Sequence, residues 1–265
     1  MSETKRVIIT GAASGIGAAT AATLRERGAQ VVGLDLNPGE GLVACDVTDQ
    51  KSVDRAMAEA VERLGGVDAL VNCAGIGLPQ SAVLPPGPDA LAVLDVNLLG
   101  TWRVTAAALP ALRADRGRVV NVSSGLAKLA VPFATAYGAS KRGVVGYSEQ
   151  LRSEVGDEVT VTTVYPGYIR TPIHDASQSA GMGLEGMVPP EPIGAAVGTI
   201  VRAIYGRPVR DLATTRRGAM SYRVLGLLPK GVVERGIRRQ MRAGAKRGLF
   251  KQTSMTSDLL ARLNR

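Results

Sequence analysis

The chain has 265 residues, 45% of them hydrophobic, a length that favours one α/β domain with an appendage. Two cysteines, Cys45 and Cys73, argue against a disulfide-rich secreted fold. No apolar stretch approaches the ~20 residues of a membrane helix, which argues against a membrane-spanning protein. The sequence therefore predicts a soluble, cytoplasmic protein. The net charge of +9 comes from the C-terminal end, because residues 1–201 hold 16 Lys/Arg and 20 Asp/Glu whereas residues 202–265 hold 16 and 3.

A glycine-rich loop follows the first apolar run, Val7 to Ile9, and precedes an alanine-rich segment over residues 18–27. A buried strand is therefore expected to turn sharply into a helix, whose N-terminus offers unpaired N–H groups to a pyrophosphate. An ordinary strand-to-helix turn would also use glycine. The residues that would hold the cofactor here are Gly11, Ser14, Gly15, Ile16 and Gly17.

The glycine spacing, Gly-x-x-x-Gly-x-Gly after Thr10, resembles the loop of the short-chain dehydrogenase/reductase family. The resemblance extends from residue 5 to about residue 205. It implies a three-layer Rossmann-type doubly wound parallel sheet of about seven strands, which we divide into a dinucleotide-binding catalytic domain over 1–205 and a basic helical C-terminal extension over 206–265.

A second predicted strand, residues 30–35, ends in Asp35, which lies 18 residues past Gly17. A carboxylate at this distance can accept hydrogen bonds from the adenosine ribose and would repel a 2′-phosphate. Ala13 and Leu36 offer no cation to that phosphate, so NAD is favoured over NADP, with Leu36 also beside the cofactor. A solvated strand-end aspartate is the alternative.

The third predicted strand, residues 42–45, leads into Asp46 and Val47, which the resemblance places beside the adenine ring. Thr48 or Asp49 is expected to cap the helix predicted over residues 50–64. A fourth strand, residues 67–71, precedes a segment that matches the family pattern Asn-Asn-Ala-Gly except at Cys73. In the family this segment supports the sheet and lines the cofactor, and the matching residues are Asn72, Ala74 and Gly75.

Asn97 lies inside a helix predicted over residues 89–109, where asparagine is unfavourable because its amide competes with backbone hydrogen bonds. The resemblance implies that this residue perturbs the helix and helps to hold a water in a proton path. A satisfied core amide is the alternative.

The fifth predicted strand, residues 118–122, delivers Ser123 and Ser124 at the edge where parallel sheets bind ligands. Tyr137 follows 13 residues after Ser124, and Lys141 lies four residues further on, on the same helix face. The resemblance makes Tyr137 the acid/base, Lys141 the cation that lowers the tyrosine pKa and bonds the nicotinamide ribose, and Ser124 the hydroxyl that bonds the substrate oxygen, with Ser123 as the second choice. All three, with Asn97, form the predicted catalytic set.

A sixth strand, residues 159–164, precedes a Pro-Gly segment that the family uses against the nicotinamide carboxamide. The matching residues are Pro166, Gly167, Ile169 and Thr171. The single histidine, His174, has no Cys or carboxylate cluster at ligand spacing, so no metal site is expected and His174 is placed near the substrate mouth.

Residues 173–192 form a Gly/Met/Pro-rich loop of the kind that closes over substrates. Apolar side chains there and after Ser124 indicate a hydrophobic secondary alcohol or ketone, hydroxysteroid-like, terpene-like or aliphatic. Packing within the loop would use the same residues. They are Leu126, Leu129, Val131, Phe133, Ile173, Met182, Leu184, Met187 and Val188.

The C-terminal extension departs from the family pattern. A seventh strand is predicted over residues 207–212, and Val233, Ile237 and Met241 share one face of a later helix opposite arginines. This helix could cover the active-site mouth, pack on a partner subunit in a homodimer or homotetramer, or make peripheral contact with an anionic membrane. No nucleic-acid partner is expected, because stacking aromatics and known motifs are absent.

The sequence thus predicts an NAD-dependent oxidoreductase. A non-catalytic NAD-binding module, docked by its basic tail to a membrane or polyanion, is the first alternative. A sugar-nucleotide epimerase or dehydratase on a related fold is the second, and the chain length and glycine spacing disfavour it.

Overall fold

A single sheet of seven parallel strands forms the centre of the molecule, seen here in a computed structural model that describes residues 4–182, 188–248, 250, 256–257 and 261. For Arg216, Arg217, Ser221, Arg223, Leu225 and Gly226 the backbone alone is described. The strand order is β3-β2-β1-β4-β5-β6-β7. The strands are β1 (Arg6–Thr10), β2 (Gln30–Asp35), β3 (Leu42–Ala44), β4 (Ala69–Asn72), β5 (Arg118–Val122), β6 (Thr160–Tyr165) and β7 (Asp211–Ala213).

Helices cover both faces of the sheet, as the alternation of strands and helical segments predicts. They are α1 (Gly15–Glu26), α2 (Gln50–Leu64), α3 (Pro88–Leu94), α4 (Thr101–Ala114), α5 (Thr135–Val155), α6 (Asp175–Ser179), α7 (Ile193–Tyr205), α8 (Arg216–Leu227) and α9 (Lys230–Lys246). A π-helical segment, Asp95–Gly100, connects α3 to α4. No helix in the described part of the chain is both long and apolar enough to cross a bilayer.

Alternate residues of β1 feed two separate hydrophobic cores. Ile8 packs into the layer that contains α2 and α4, whereas Val7 and Ile9 pack into the layer that contains α1 and α7. This alternation follows from the two-residue period of a strand. Because both faces are covered, β1 is apolar almost throughout, as expected for a central parallel strand.

The strand order reverses at β1, which pairs with β2 on one side and with β4 on the other. The helices that follow β1 and β4 lie on opposite faces of the sheet, which opens a crevice at the carboxyl ends of the strands, the usual ligand position in such sheets. The predicted fold class is confirmed.

Several predicted boundaries differ from the structure. The helix expected over residues 89–109 is interrupted by the π-helical segment, and the seventh strand, at Asp211–Ala213, overlaps its predicted range of 207–212 only at residues 211–212. Val224 belongs to α8, which the sequence patterns did not predict. Of the two proposed caps of α2, Asp49 is the one used, since its side chain accepts from the backbone N–H groups of Lys51 and Ser52.

Candidate active site

The glycine loop is packed too closely for side chains. A Cβ at Gly17 would lie 2.1 Å from the carbonyl oxygen of Gly11, and one at Gly11, where φ is +68°, would lie 2.8 Å from Cα of Ala74. The Thr10 hydroxyl oxygen accepts from the backbone N–H groups of Cys73 and Ala74, both at 3.1 Å. The loops after β1 and β4 are thereby joined.

The N-terminus of α1 is suited to an anion. Ser14 occupies the N-cap position, yet its side chain makes no capping hydrogen bond. The first N–H groups of α1 are therefore not satisfied by their cap and lie at the wall of the cavity described below, with the positive end of the helix dipole behind them. This donor arrangement fits the pyrophosphate of a dinucleotide.

Asp35 extends from the end of β2 toward the same loop. Its carboxylate accepts from the backbone N–H groups of Ala13, at 2.9 Å, and Asn37, at 3.1 Å. The side chain is thus fixed at the rim of the glycine loop with a negative charge. Neither Ala13 nor Leu36 brings a cation to it.

A cavity of about 430 Å³ collects nearly all the predicted cofactor residues. Asn72 is the exception, since it lies buried inside the sheet, where its side-chain amide donates to Thr105 and Asn121, each at 2.8 Å. The predicted residues that line the cavity are Gly11, Ser14, Gly15, Ile16, Gly17, Asp35, Leu36, Asp46, Val47, Ala74, Gly75, Tyr137, Lys141, Pro166, Gly167, Ile169 and Thr171.

Three of the four predicted catalytic residues line this cavity as well. A side-chain hydrogen bond joins Ser124 to Tyr137, and the Lys141 ammonium nitrogen lies 5.7 Å from the centre of the Tyr137 ring. Ser123, the second choice, instead donates its hydroxyl to the backbone carbonyl of Lys141 at 2.8 Å. Ser124 is therefore the serine that contacts the tyrosine.

The ionisation of this pair differs from the expectation that Lys141 lowers the tyrosine pKa. Burial raises the pKa of Tyr137, and the hydrogen bond from Ser124 opposes that shift in part. Burial also lowers the pKa of Lys141 to about 8. Desolvation is the largest cause of both shifts, and it disfavours the charged form of each group.

Asn97 lies in the π-helical segment and is fully buried. Its side-chain oxygen accepts from the N–H of Ile76, at 2.8 Å, and its amide donates to the Ile76 carbonyl, at 3.0 Å, and to the Ser140 hydroxyl, at 3.1 Å. Ser140 in turn donates to the carbonyl of Tyr137 at 2.8 Å. Asn97 therefore links the loop after β4 to α5, the helix that carries Tyr137 and Lys141. The helix that contains Asn97 itself is perturbed, as predicted.

A family model described as short chain dehydrogenase matches residues 5–181, which include the glycine loop and Ser124, Tyr137 and Lys141. The chain belongs to the short-chain dehydrogenase/reductase family. The 3-oxoacyl-(acyl-carrier-protein) reductase FabG of Thermotoga maritima is 36% identical over 188 residues, which cover 64% of this chain and 76% of that protein.

Two solved structures show the same fold. A short-chain dehydrogenase from Burkholderia cenocepacia in complex with NADP has a TM-score of 0.74 and 28% identity, covering 86% of this chain and 96% of that one. A 3-ketoacyl-(acyl-carrier-protein) reductase from Brucella melitensis complexed with NADH has a TM-score of 0.69 and 26% identity, covering 80% and 96%. Short-chain dehydrogenases/reductases act on small molecules and are typically oligomeric.

Glu191 is a site residue that the sequence patterns missed. Its carboxylate accepts from the backbone N–H of Gly167, at 3.1 Å, and from the hydroxyls of Thr214 and Thr215. Thr215 also caps α8 by accepting from the N–H of Gly218. Glu191 therefore ties the Pro-Gly segment beside the cavity to the start of the C-terminal extension, and a lone Glu between prolines gives no sequence signal for this.

Apolar side chains surround the end of the cavity near Tyr137. A second cavity of about 60 Å³ adjoins it and shares Tyr137, His174 and Met241 with the first. Of the predicted pocket residues, Leu184 and Met187 lie outside the described residues. Those that line one or both cavities are Leu126, Leu129, Val131, Phe133, Ile173, Met182 and Val188.

The C-terminal extension completes the wall of this short-chain dehydrogenase/reductase site. Tyr222 of α8 and Ile237 and Met241 of α9 line the larger cavity, and Met241 is buried. The amphipathic helix therefore packs against the cavity through the face that carries Ile237 and Met241.

Both cysteines carry protonated thiols, as burial raises the pKa of Cys45 and of Cys73 to about 11.

His174 lines both cavities and packs edge-on against Tyr168, with ring centres 4.9 Å apart. Burial lowers the pKa of His174. Within the described residues, no group of three His, Cys, Asp or Glu side chains could hold a metal ion.

Proposed function

We propose that this chain is an NAD-dependent enzyme that interconverts a hydrophobic secondary alcohol and its ketone, with Tyr137 as the general acid/base. The observation that carries the proposal is the position of Ser124, Tyr137 and Lys141 in one cavity with the glycine loop and Asp35. A dinucleotide held by the glycine loop and a substrate held by Ser124 and Tyr137 would lie next to each other in that cavity.

The nicotinamide cofactor, when bound, supplies the hydride transfer. In the oxidation direction Tyr137 acts as a phenolate that takes the alcohol proton, and in the reduction direction its hydroxyl gives that proton to the ketone oxygen. Ser124, already bonded to Tyr137, bonds the substrate oxygen and stabilises the charge that develops on it. Lys141 bonds the nicotinamide ribose, and its cation counteracts the burial that raises the pKa of Tyr137.

Asn97 is assigned a positioning role. Its hydrogen bonds to Ile76 and Ser140 occupy both ends of its side-chain amide in this structure. In the family resemblance, the residue at this place helps to hold a water that continues the proton path from the lysine. Asn97 and Lys141 both lie close to Gly75, since a Cβ there would be 3.2 Å from the Asn97 oxygen and 3.5 Å from the lysine nitrogen.

NAD is proposed over NADP because of Asp35. The carboxylate is fixed by Ala13 and Asn37 at the glycine loop and would repel a 2′-phosphate. The related structures include one with NADP and one with NADH, so membership of the family does not by itself select the cofactor.

A hydrophobic substrate is proposed because apolar residues dominate the cavity around Tyr137. The named relative from Thermotoga maritima is a 3-oxoacyl reductase, whose ketone is carried on an acyl chain. A ketone or alcohol with an aliphatic, terpene-like or steroid-like body would bury its apolar surface against Leu126, Val131 and Met241.

We also propose that the chain divides into a catalytic unit over residues 1–205 and an extension over residues 206–265. We further propose that the protein is a homodimer or homotetramer in the cytoplasm.

The test is a fluorescence titration with NADH and NADPH, followed by a panel of steroid, terpene and aliphatic secondary alcohols and ketones. Tighter NADH binding with turnover of apolar compounds is the expected result. Binding without turnover on the whole panel would favour the non-catalytic module, and preference for NADPH would contradict the role given to Asp35.

A further inference from the structure

Helices α8 and α9 form a wall of the cavity on one side and a solvent-facing surface on the other. Tyr222, Ile237 and Met241 face the cavity. The remaining described side chains of these helices are largely exposed, and they include an apolar group, a basic group and one acid, Glu234.

The apolar group covers one face of α8 and the corner that leads into α9. Met220, Val224 and Leu227 follow one another at spacings of four and three residues, which puts them on one helix face, and Leu228 and Val232 continue the surface around the corner. Leu227 is 86% exposed and Met220 is 63% exposed. Large apolar side chains grouped on a surface in this way mark a contact site. We call these five residues the apolar corner.

The basic group runs along the outer face of α9. Arg235, Arg239, Arg242 and Lys246 recur at intervals of four, three and four residues, opposite the face that carries Ile237 and Met241. All four are exposed, and among the described residues none of them forms an ion pair with a carboxylate. We call these four residues the basic stripe.

The combination favours one kind of partner. A nucleic acid would satisfy the basic stripe but would leave the exposed leucines without a contact, and the corner offers no aromatic side chain for stacking. A second copy of this chain, meeting face to face, would bring two basic stripes together. An anionic lipid bilayer satisfies both groups, with headgroups against the arginines and acyl chains against the leucines.

We propose that the apolar corner and the basic stripe dock this protein on the surface of an anionic membrane. Leu227 and Leu228 enter the boundary between headgroups and acyl chains, and the basic stripe lies along the phosphates. Because the same two helices form part of the cavity wall, docking holds that wall of the cavity against the lipid. The docking itself does not depend on the hydride-transfer proposal.

The experiment is co-sedimentation of the full chain, without cofactor or substrate, with vesicles of phosphatidylcholine alone or with about 30% phosphatidylserine. The expected result is binding to the anionic vesicles that weakens at about 1 M NaCl, where the Debye length falls to about 3 Å. Equal, negligible sedimentation with both vesicles would overturn the proposal.

Two pairs of variants locate the surface. Leu227→Ser with Leu228→Ser should lower the partition coefficient by about tenfold or more, whereas Leu84→Ser, another exposed leucine, should not. Arg239→Gln with Arg242→Gln should lower it by about 25-fold, at about fivefold per charge. The matched control with the same net charge is Lys51→Gln with Arg63→Gln on α2.

NADH binding and circular dichroism identify variants that have lost the fold. An equal loss of vesicle binding in the α2 control, Lys51→Gln with Arg63→Gln, would show that net charge alone attracts the protein to the vesicles and would overturn the proposal. Tail-dependent dimerisation in light scattering, or tail-dependent binding of an RNA oligonucleotide with no vesicle binding, would overturn it in favour of those partners.

Discussion

The ammonium group of Lys141 donates to the backbone carbonyl oxygen of Val122, at 3.0 Å. This bond anchors the lysine to the end of β5 while its nitrogen stays 5.7 Å from the centre of the Tyr137 ring. The contact supplies one hydrogen bond to a side chain that is 4% exposed, and burial lowers the pKa of Lys141 to about 8.

The buried lysine should make stability depend on pH. Its folded-state pKa lies below the unfolded value near 10.5, so the folded state binds fewer protons between about pH 8 and 10.5 and the unfolding free energy should rise with pH there. Below pH 8, burying the charged lysine lowers the free energy of unfolding by on the order of 3 kcal/mol. Denaturant unfolding of wild type and Lys141→Met, between about pH 7 and 10, measures the difference. Equal pH slopes in the two proteins would contradict it.

Gly17 should not tolerate even alanine. The added Cβ would lie 2.1 Å from the carbonyl oxygen of Gly11, which is backbone and cannot rotate away. We expect Gly17→Ala to lose about 1–3 kcal/mol of stability and to weaken NADH binding, because the loop and the start of α1 must move. The control is Gly198→Ala on α7, where a Cβ meets nothing within 4 Å and helix propensity favours alanine. Similar losses in both variants would count against the close-packing argument.

Asp35→Asn should shift the cofactor preference toward NADPH. The substitution removes the negative charge and keeps one side-chain oxygen, so one of the two N–H groups, of Ala13 or of Asn37, retains its acceptor. Affinity for NADPH should rise by about tenfold or more, while NADH affinity falls. Dissociation constants for both cofactors measure this, with Asp157→Asn, on the exposed turn after α5, as the control for net charge. An unchanged ratio would show that Asp35 does not select the cofactor.

Glu191→Gln should act on the cofactor site through the Pro-Gly segment. A glutamine amide nitrogen cannot accept, so at least one of the donors from Gly167, Thr214 and Thr215 loses its partner. We expect a stability loss of about 1–3 kcal/mol and a larger rise in the KM for NADH than fall in kcat. Glu62→Gln, exposed on α2, is the matched control. A change in kcat alone would argue against this positioning role.

Much of the fold followed from local patterns in the sequence. Buried strands such as β1 and β2 are apolar runs ended by polar residues, and Asp35 sits at its strand end as the spacing predicted. Asn97 indicated a perturbed helix because its amide is unfavourable there, and the π-helical segment confirms this. The extent of the perturbation depends on Ile76 and Ser140, which are distant in sequence.

Other parts of the site depend on contacts that no local pattern records. Tyr222 lines the cavity from α8, and Glu191 acts beside the cavity through Gly167, Thr214 and Thr215, which are distant from it in sequence. Burial, which raises the pKa of Tyr137, was not part of the argument from the Lys141 cation and the positive nicotinamide ring, because no local pattern records how much water the fold removes. The roles given to the catalytic residues remain predictions.

The most direct test of the account is single-turnover hydride transfer in wild type and Tyr137→Phe, with NADH affinity measured on the same samples. Phenylalanine keeps the ring beside Lys141 and removes the hydroxyl bonded to Ser124. We predict that the rate falls by about 10²- to 10⁴-fold while NADH binding is retained. Tyr205→Phe, at the end of α7, should leave both unchanged. A Tyr137→Phe enzyme that transfers hydride at the wild-type rate would contradict the assignment of Tyr137 as the acid/base.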